Sequence, residues 1–138
     1  MEPKSAWEKE QTLGVATIDS EHQLQRRLVA VLRDAVESRR EPVVISEILR
    51  RVEDTSNVHF MSEELLMRLD AYDHYGMHVE EHRKLLAELA DLRARYEADQ
   101  STDLRPSIGW IEEWLSNHIN GLDRRFTDSM QRSKAGLP

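Results

Sequence analysis

Residues 74–97 read HYGMHVEEHRKLLAELADLRARYE. Tyr75, His78, His82, Leu85, Leu89, Leu92 and Tyr96 recur at steps of three and four, and most positions between them are charged. That spacing lines one face of an α-helix and leaves the charges on the other. A strand would need alternation at every second residue, which this segment lacks. Two positions of an otherwise apolar stripe are histidine, so the segment poses a chemical question together with a structural one.

The same periodicity extends in both directions. Pro42 suits the first turn of a helix, and Ile45, Ile48, Leu49, Val52, Ser56, His59, Glu63 and Leu66 trace its buried stripe. Earlier, Asp19 reads as the N-cap of a helix carrying Leu24, Leu28, Val31, Leu32 and Ala35. That helix is expected to end near Arg39 and Arg40, where cations suit the carbonyl end. Downstream, a fourth helix should begin after Asp103, tolerate Pro106 in its first turn and run to about Gln131, with Ile111, Leu115, His118, Leu122 and Phe126 inward. Four amphipathic helices on short connections predict an all-α fold, an up-down-up-down antiparallel four-helix bundle. The expected organisation is a single domain over residues 1–138, with an arm over about 1–17 and the bundle over about 18–131. Trp7, Leu13 and Val15 should pack part of the arm, and Trp110 and Trp114, four apart, read as core.

Composition narrows the chemistry. A length of 138 residues suits one domain with its own core. The net charge of −7 argues against a phosphate-backbone partner, so no nucleic acid is expected. No apolar run approaches the ~18 residues of a membrane span, and Met1–Glu10 is polar, so no membrane association and a cytoplasmic location are expected. There is no cysteine, so a metal site here must use nitrogen and oxygen donors.

Four of the six histidines, His59, His78, His82 and His118, continue apolar stripes. A buried imidazole without partners costs on the order of 1–3 kcal/mol. A single core histidine is usually structural; several converging on one core call for something that binds them together, and a metal does so. His59 and Glu63 share a helix face at a step of four, as do His78 and His82. His22 lies early in the first helix. Asp123 follows His118 by five, off a strict helical face, so it should reach sideways, with Gly121 between them permitting distortion. His74, off the stripe, reads as a surface residue.

These pieces resemble the hemerythrin family, its bacterial branch above all. The matching segments are Ile18-Asp19-Ser20-Glu21-His22, His59-Phe60-Met61-Ser62-Glu63-Glu64, His78-Val79-Glu80-Glu81-His82 and Trp114-Leu115-Ser116-Asn117-His118-Ile119, followed by Asp123. Trp7 and Leu13-Gly14-Val15 resemble the family's arm, and the likeness spans about residues 7–126. It implies two iron ions in a non-heme di-iron centre with an oxo or hydroxo bridge. His78, His82 and His118 would bind one iron, His22 and His59 the other, and Glu63 and Asp123 would bridge them. With those ligands and the shared oxygen in place, one position stays open on the two-histidine iron. The implied function is reversible binding of O2, with Leu115, Ile119 and Trp114 beside the opening. The chain departs from the family at Tyr72-Asp73, where a proline is common after the tyrosine, and at Phe126, in a region where tyrosine is common.

Two other classes stand beside O2 carriage, storage or delivery. One is an O2- or redox-sensing module for a signalling partner, favoured if the reading frame continues past Pro138. The other is a di-iron enzyme with peroxidase or NO-reducing activity. Ferritin-like oxidases use Glu-x-x-His pairs, and no histidine here has glutamate three residues before it. A histidine-rich, carboxylate-poor donor set should stabilise high oxidation states less, so binding, not enzymatic turnover, is expected.

Overall fold

The computed structural model describes residues 13–134, and Trp7 lies outside them. Its helices are α1 (Ala16–Glu37), α2 (Pro42–Leu69), α3 (Tyr75–Ala98) and α4 (Arg105–His118); α4 passes through a π-helical turn (Ile119–Asp123) into α5 (Arg124–Lys134). No strand occurs among the described residues. α1 packs on α2 and α4, and α3 packs on α2 and α4, so four rods close a ring around one core. Connections of a few residues force each rod to run against the one before it. No described helix is long and apolar enough to cross a membrane.

Local chemistry sets the ends. Pro42 and Pro106 stand in the first turns of α2 and α4, where a missing N–H costs nothing. α1 and α2 end alike. Arg39 and Ala71 take left-handed backbone (φ 54° and 51°). The next amides, Arg40 and Tyr72, donate back to the carbonyls of Ala35 and Met67, each at 2.9 Å. Asp19 is not the N-cap: α1 begins at Ala16, and Asp19 sits in its first turn. Its carboxylate instead accepts hydrogen bonds from the backbone amides of Leu13 (2.8 Å) and Gly14 (3.0 Å), which fastens the arm to the helix.

One half of the core is apolar, with Leu32, Leu49, Leu89, Leu92, Leu104 and Ile108 fully buried. At about 25 cal/mol per Å² of buried apolar surface, this half supplies much of the driving force. The stripe of α1 lies about one position from where periodicity put it. Leu24 and Val31 are exposed, while Gln25 and Val29 are buried. The reason is that α1 turns inward the face that carries His22, so Ile18, Gln25, Val29 and Leu32 follow it. Trp110 is also exposed, on the outer face of α4, contrary to its expected core position.

Candidate metal centre

Each rod sends ligand-type side chains to one place inside the bundle. α1 contributes His22, α2 His59 and Glu63, α3 His78 and His82, and the fourth rod His118 and Asp123, all buried. His74 is exposed at the N-terminus of α3. The five-residue step from His118 to Asp123 is resolved by the backbone. Asp123 does not reach sideways from a regular helix; the π turn Ile119–Asp123 widens the helix and brings it back over His118. The His118 Nε2 to Asp123 Oδ1 distance is 3.0 Å. Such i→i+5 turns insert one residue into an α-helix and re-aim side chains at functional sites. Gly121 is not what permits the turn: it has no positive φ, and a Cβ there would meet nothing within 4 Å. The inserted residue also turns Leu122 away from full burial and brings Ile119 inward.

The two carboxylates divide the cluster. Glu63 Oε1 lies 2.7 Å from His78 Nε2 and 3.2 Å from His82 Nε2. Asp123 Oδ1 lies 2.8 Å from His78 Nε2. Their other oxygens face the opposite pair: Asp123 Oδ2 is 2.9 Å from His22 Nε2, and Glu63 Oε2 is 3.5 Å from His59 Nε2. Two overlapping donor sets result, Glu63, His78, His82, His118 and Asp123 on one side and His22, His59, Glu63 and Asp123 on the other. Within each set the donor atoms lie within 4.8 Å of one another.

The donors fit cations. His82 Nε2 and His118 Nε2 approach to 3.1 Å, a distance at which both cannot point a hydrogen at the other. Two inward-facing buried atoms, His59 Nε2 and Glu63 Oε2, have no hydrogen-bond partner among the described residues and stand 3.5 Å apart. Unsatisfied groups at that depth are costly, and imidazole nitrogen with carboxylate oxygen is a donor set for first-row transition metals. Without a metal, protons take part of that role. Burial opposes charging of the His78 ring, but hydrogen bonds to Asp123 and Glu63, with their charges, outweigh it and raise its pKa to about 9. Burial likewise favours neutral Asp123, yet the charge and hydrogen bond of His118, with bonds from His22 and His78, hold it well below the usual carboxylate range.

Three neighbours, Glu21, Glu64 and Phe60, were not read as site residues from the sequence, whereas Trp114, Leu115 and Ile119 were. Glu21 Oε1 holds His59 Nδ1 at 2.8 Å, and Glu64 Oε2 holds His82 Nδ1 at 2.8 Å. Carboxylates behind metal-binding imidazoles fix the tautomer and orient the ring. Each sits next in sequence to a core residue, a position that ordinarily faces solvent. Phe60 stacks on His82 with centroids 3.9 Å apart, and Trp114 stacks on His118 at 4.4 Å. Leu115 and Ile119 are fully buried.

A four-rod bundle that converges histidines and two shared carboxylates on one buried centre defines a metal-binding helical bundle. The chain belongs to the hemerythrin HHE cation binding domain family, whose model matches residues 13–127. Among its relatives is a bacteriohemerythrin of Pseudomonas paraeruginosa, 27% identical over 133 residues, covering 95% of this chain and 84% of that protein. Myohemerythrin-1 of Phascolopsis gouldii is 31% identical over 78 residues, 56% of this chain and 60% of that one. A crystal structure of wild-type hemerythrin superposes with a TM-score of 0.82 at 26% identity, covering 94% of this chain and 97% of that chain.

Proposed function

We propose that this chain is a non-heme di-iron protein that binds O2 reversibly, for carriage, storage or delivery and not for catalysis. The observation that carries this reading is the division of Glu63 and Asp123, each with one oxygen toward the three-histidine set and one toward the two-histidine set. In this reading His78, His82 and His118 hold one iron, His22 and His59 the other, and the two carboxylates span them. The irons, when bound, supply the redox chemistry of O2 binding. The chain supplies the rest. Glu21 and Glu64 orient His59 and His82. Leu115 and Ile119 offer dry walls that exclude water. Trp114 lies flat on His118, which supports a role in holding that ring more than in lining the opening beside His22 and His59. A surface cleft of about 250 Å³ between α1 and α2, lined by Glu21, Leu24, Val58 and His59 among others, suits an approach to the two-histidine half. A single domain in the cytoplasm is part of the same proposal.

Reconstitution with ferrous iron tests it. Two irons per chain and a visible band that appears with O2 and vanishes on its removal are expected. Bleaching to a ferric form that never rebinds O2 would overturn reversible binding. Full retention of two irons after His118→Ala or Glu63→Ala would sink the ligand assignment.

A further inference from the structure

A buried polar pair stands beside the two-histidine half. Gln25 and Ser56 are each 1% exposed, and the Gln25 side-chain amide donates to Ser56 Oγ at 2.9 Å across α1 and α2. Gln25 follows His22 by three residues, and Ser56 precedes His59 by three. Because α1 and α2 run in opposite directions, both lie toward the same end of the bundle from the His22 and His59 rings, themselves 4.7 Å apart. Glu63, four residues after His59, lies toward the other end, as does Asp123, five after His118. Leu115, three before His118 on a rod that runs with α2, falls on the Gln25 side. The carboxylates therefore occupy one end of the two-histidine half, and an amide in an otherwise apolar layer occupies the other. An amide nitrogen carries two hydrogens, and the Ser56 hydroxyl takes one.

We propose that Gln25, held in place by Ser56, donates its second N–H to a ligand bound at the two-histidine half, making that half selective for small ligands that accept hydrogen bonds, anions above all. The proposal rests on the di-iron reading and concerns ligand choice within it. A purely structural Gln25–Ser56 pair would set only the pairing of α1 with α2.

The test is azide binding to the diferric protein, titrated by visible absorbance with iron counted in every sample. Gln25→Met keeps length, volume and net charge but removes the donor; azide affinity is expected to fall about tenfold with two irons retained. Ser56→Ala keeps the amide but frees it, and a smaller loss of about two- to threefold is expected. Melting of the metal-free forms reads the structural contribution separately. A Gln25→Met protein with two irons and unaltered azide affinity overturns the proposal; if that variant does not fold, unaltered affinity in Ser56→Ala does so. A parent protein that takes up no iron overturns the di-iron reading, and this inference falls with it.

Discussion

Stripping the metal should cost this bundle a measurable share of its thermal stability. Two inward-facing donor atoms, His59 Nε2 and Glu63 Oε2, lack hydrogen-bond partners among the described residues. Leaving a buried polar atom unsatisfied costs about 1–3 kcal/mol, so the pair amounts to about 2–6 kcal/mol. That is a sizeable share of the about 5–15 kcal/mol that stabilises an ordinary domain. Protonation of His78 and entry of water recover part of it, so a net loss of about 2–3 kcal/mol is expected. For a domain of this length, 1 kcal/mol moves the midpoint by about 3–5 °C. The metal-free protein should therefore melt about 6–15 °C below the loaded one. Calorimetry before chelation, after it, and after anaerobic return of ferrous iron measures the difference, and the last step separates metal loss from damage. Metal-free protein that melts within about 3 °C of the loaded form would refute the claim that unpaired ligand atoms dominate its instability.

Other outcomes follow from the same geometry. On the proposed di-iron reading, Glu21→Ala should weaken iron binding at the two-histidine half about 10–100-fold, because Glu21 orients one of only two imidazoles there. Glu64→Ala, behind one of three, should lose less; iron counts after a graded chelator challenge separate the two, and equal resistance in both variants would contradict the assignment. Gly121→Ala should retain both irons and stabilise the protein by about 0.5–1 kcal/mol, since a Cβ there meets nothing within 4 Å; loss of iron would mean the glycine is required. Ala71→Gly should stabilise by up to about 1 kcal/mol in urea unfolding, because Ala71 pays the left-handed penalty at the end of α2. In metal-free protein, His78 has its pKa raised to about 9 in the folded state. Its protonation thus stabilises the fold fully below the ordinary imidazole range, and that contribution should fade as pH rises through about 9. Urea midpoints across pH 6–10 report it, and a midpoint that climbs over that window would contradict the sign.

How much of this was legible beforehand follows from what periodicity encodes. On α3 the stripe from His78 to Tyr96 and the buried stripe of the structure coincide, with Tyr75 only half-buried, because His78, His82 and the leucines all belong to one face. On α1 the leucines misled: Leu24 and Val31 suggested a face that in fact meets solvent. Hydrophobicity alone did not reveal that Gln25 is inside, since its burial depends on Ser56, thirty-one residues away. The five-step from His118 to Asp123 signalled a departure from α-helix, but not its form.

By itself, the sequence determined four helices, their antiparallel order and seven candidate donor residues, because helical spacing and side-chain chemistry are local. Only the tertiary structure decided how those donors divide. The π turn that returns Asp123 to His118 and the stacking of Trp114 on His118 lie within the fourth rod, whereas the opposed oxygens of Glu63 and Asp123, the carboxylates behind His59 and His82, and the stacking of Phe60 on His82 join different rods. Such contacts exist only after the rods pack, since no spacing along one helix sets a distance between two.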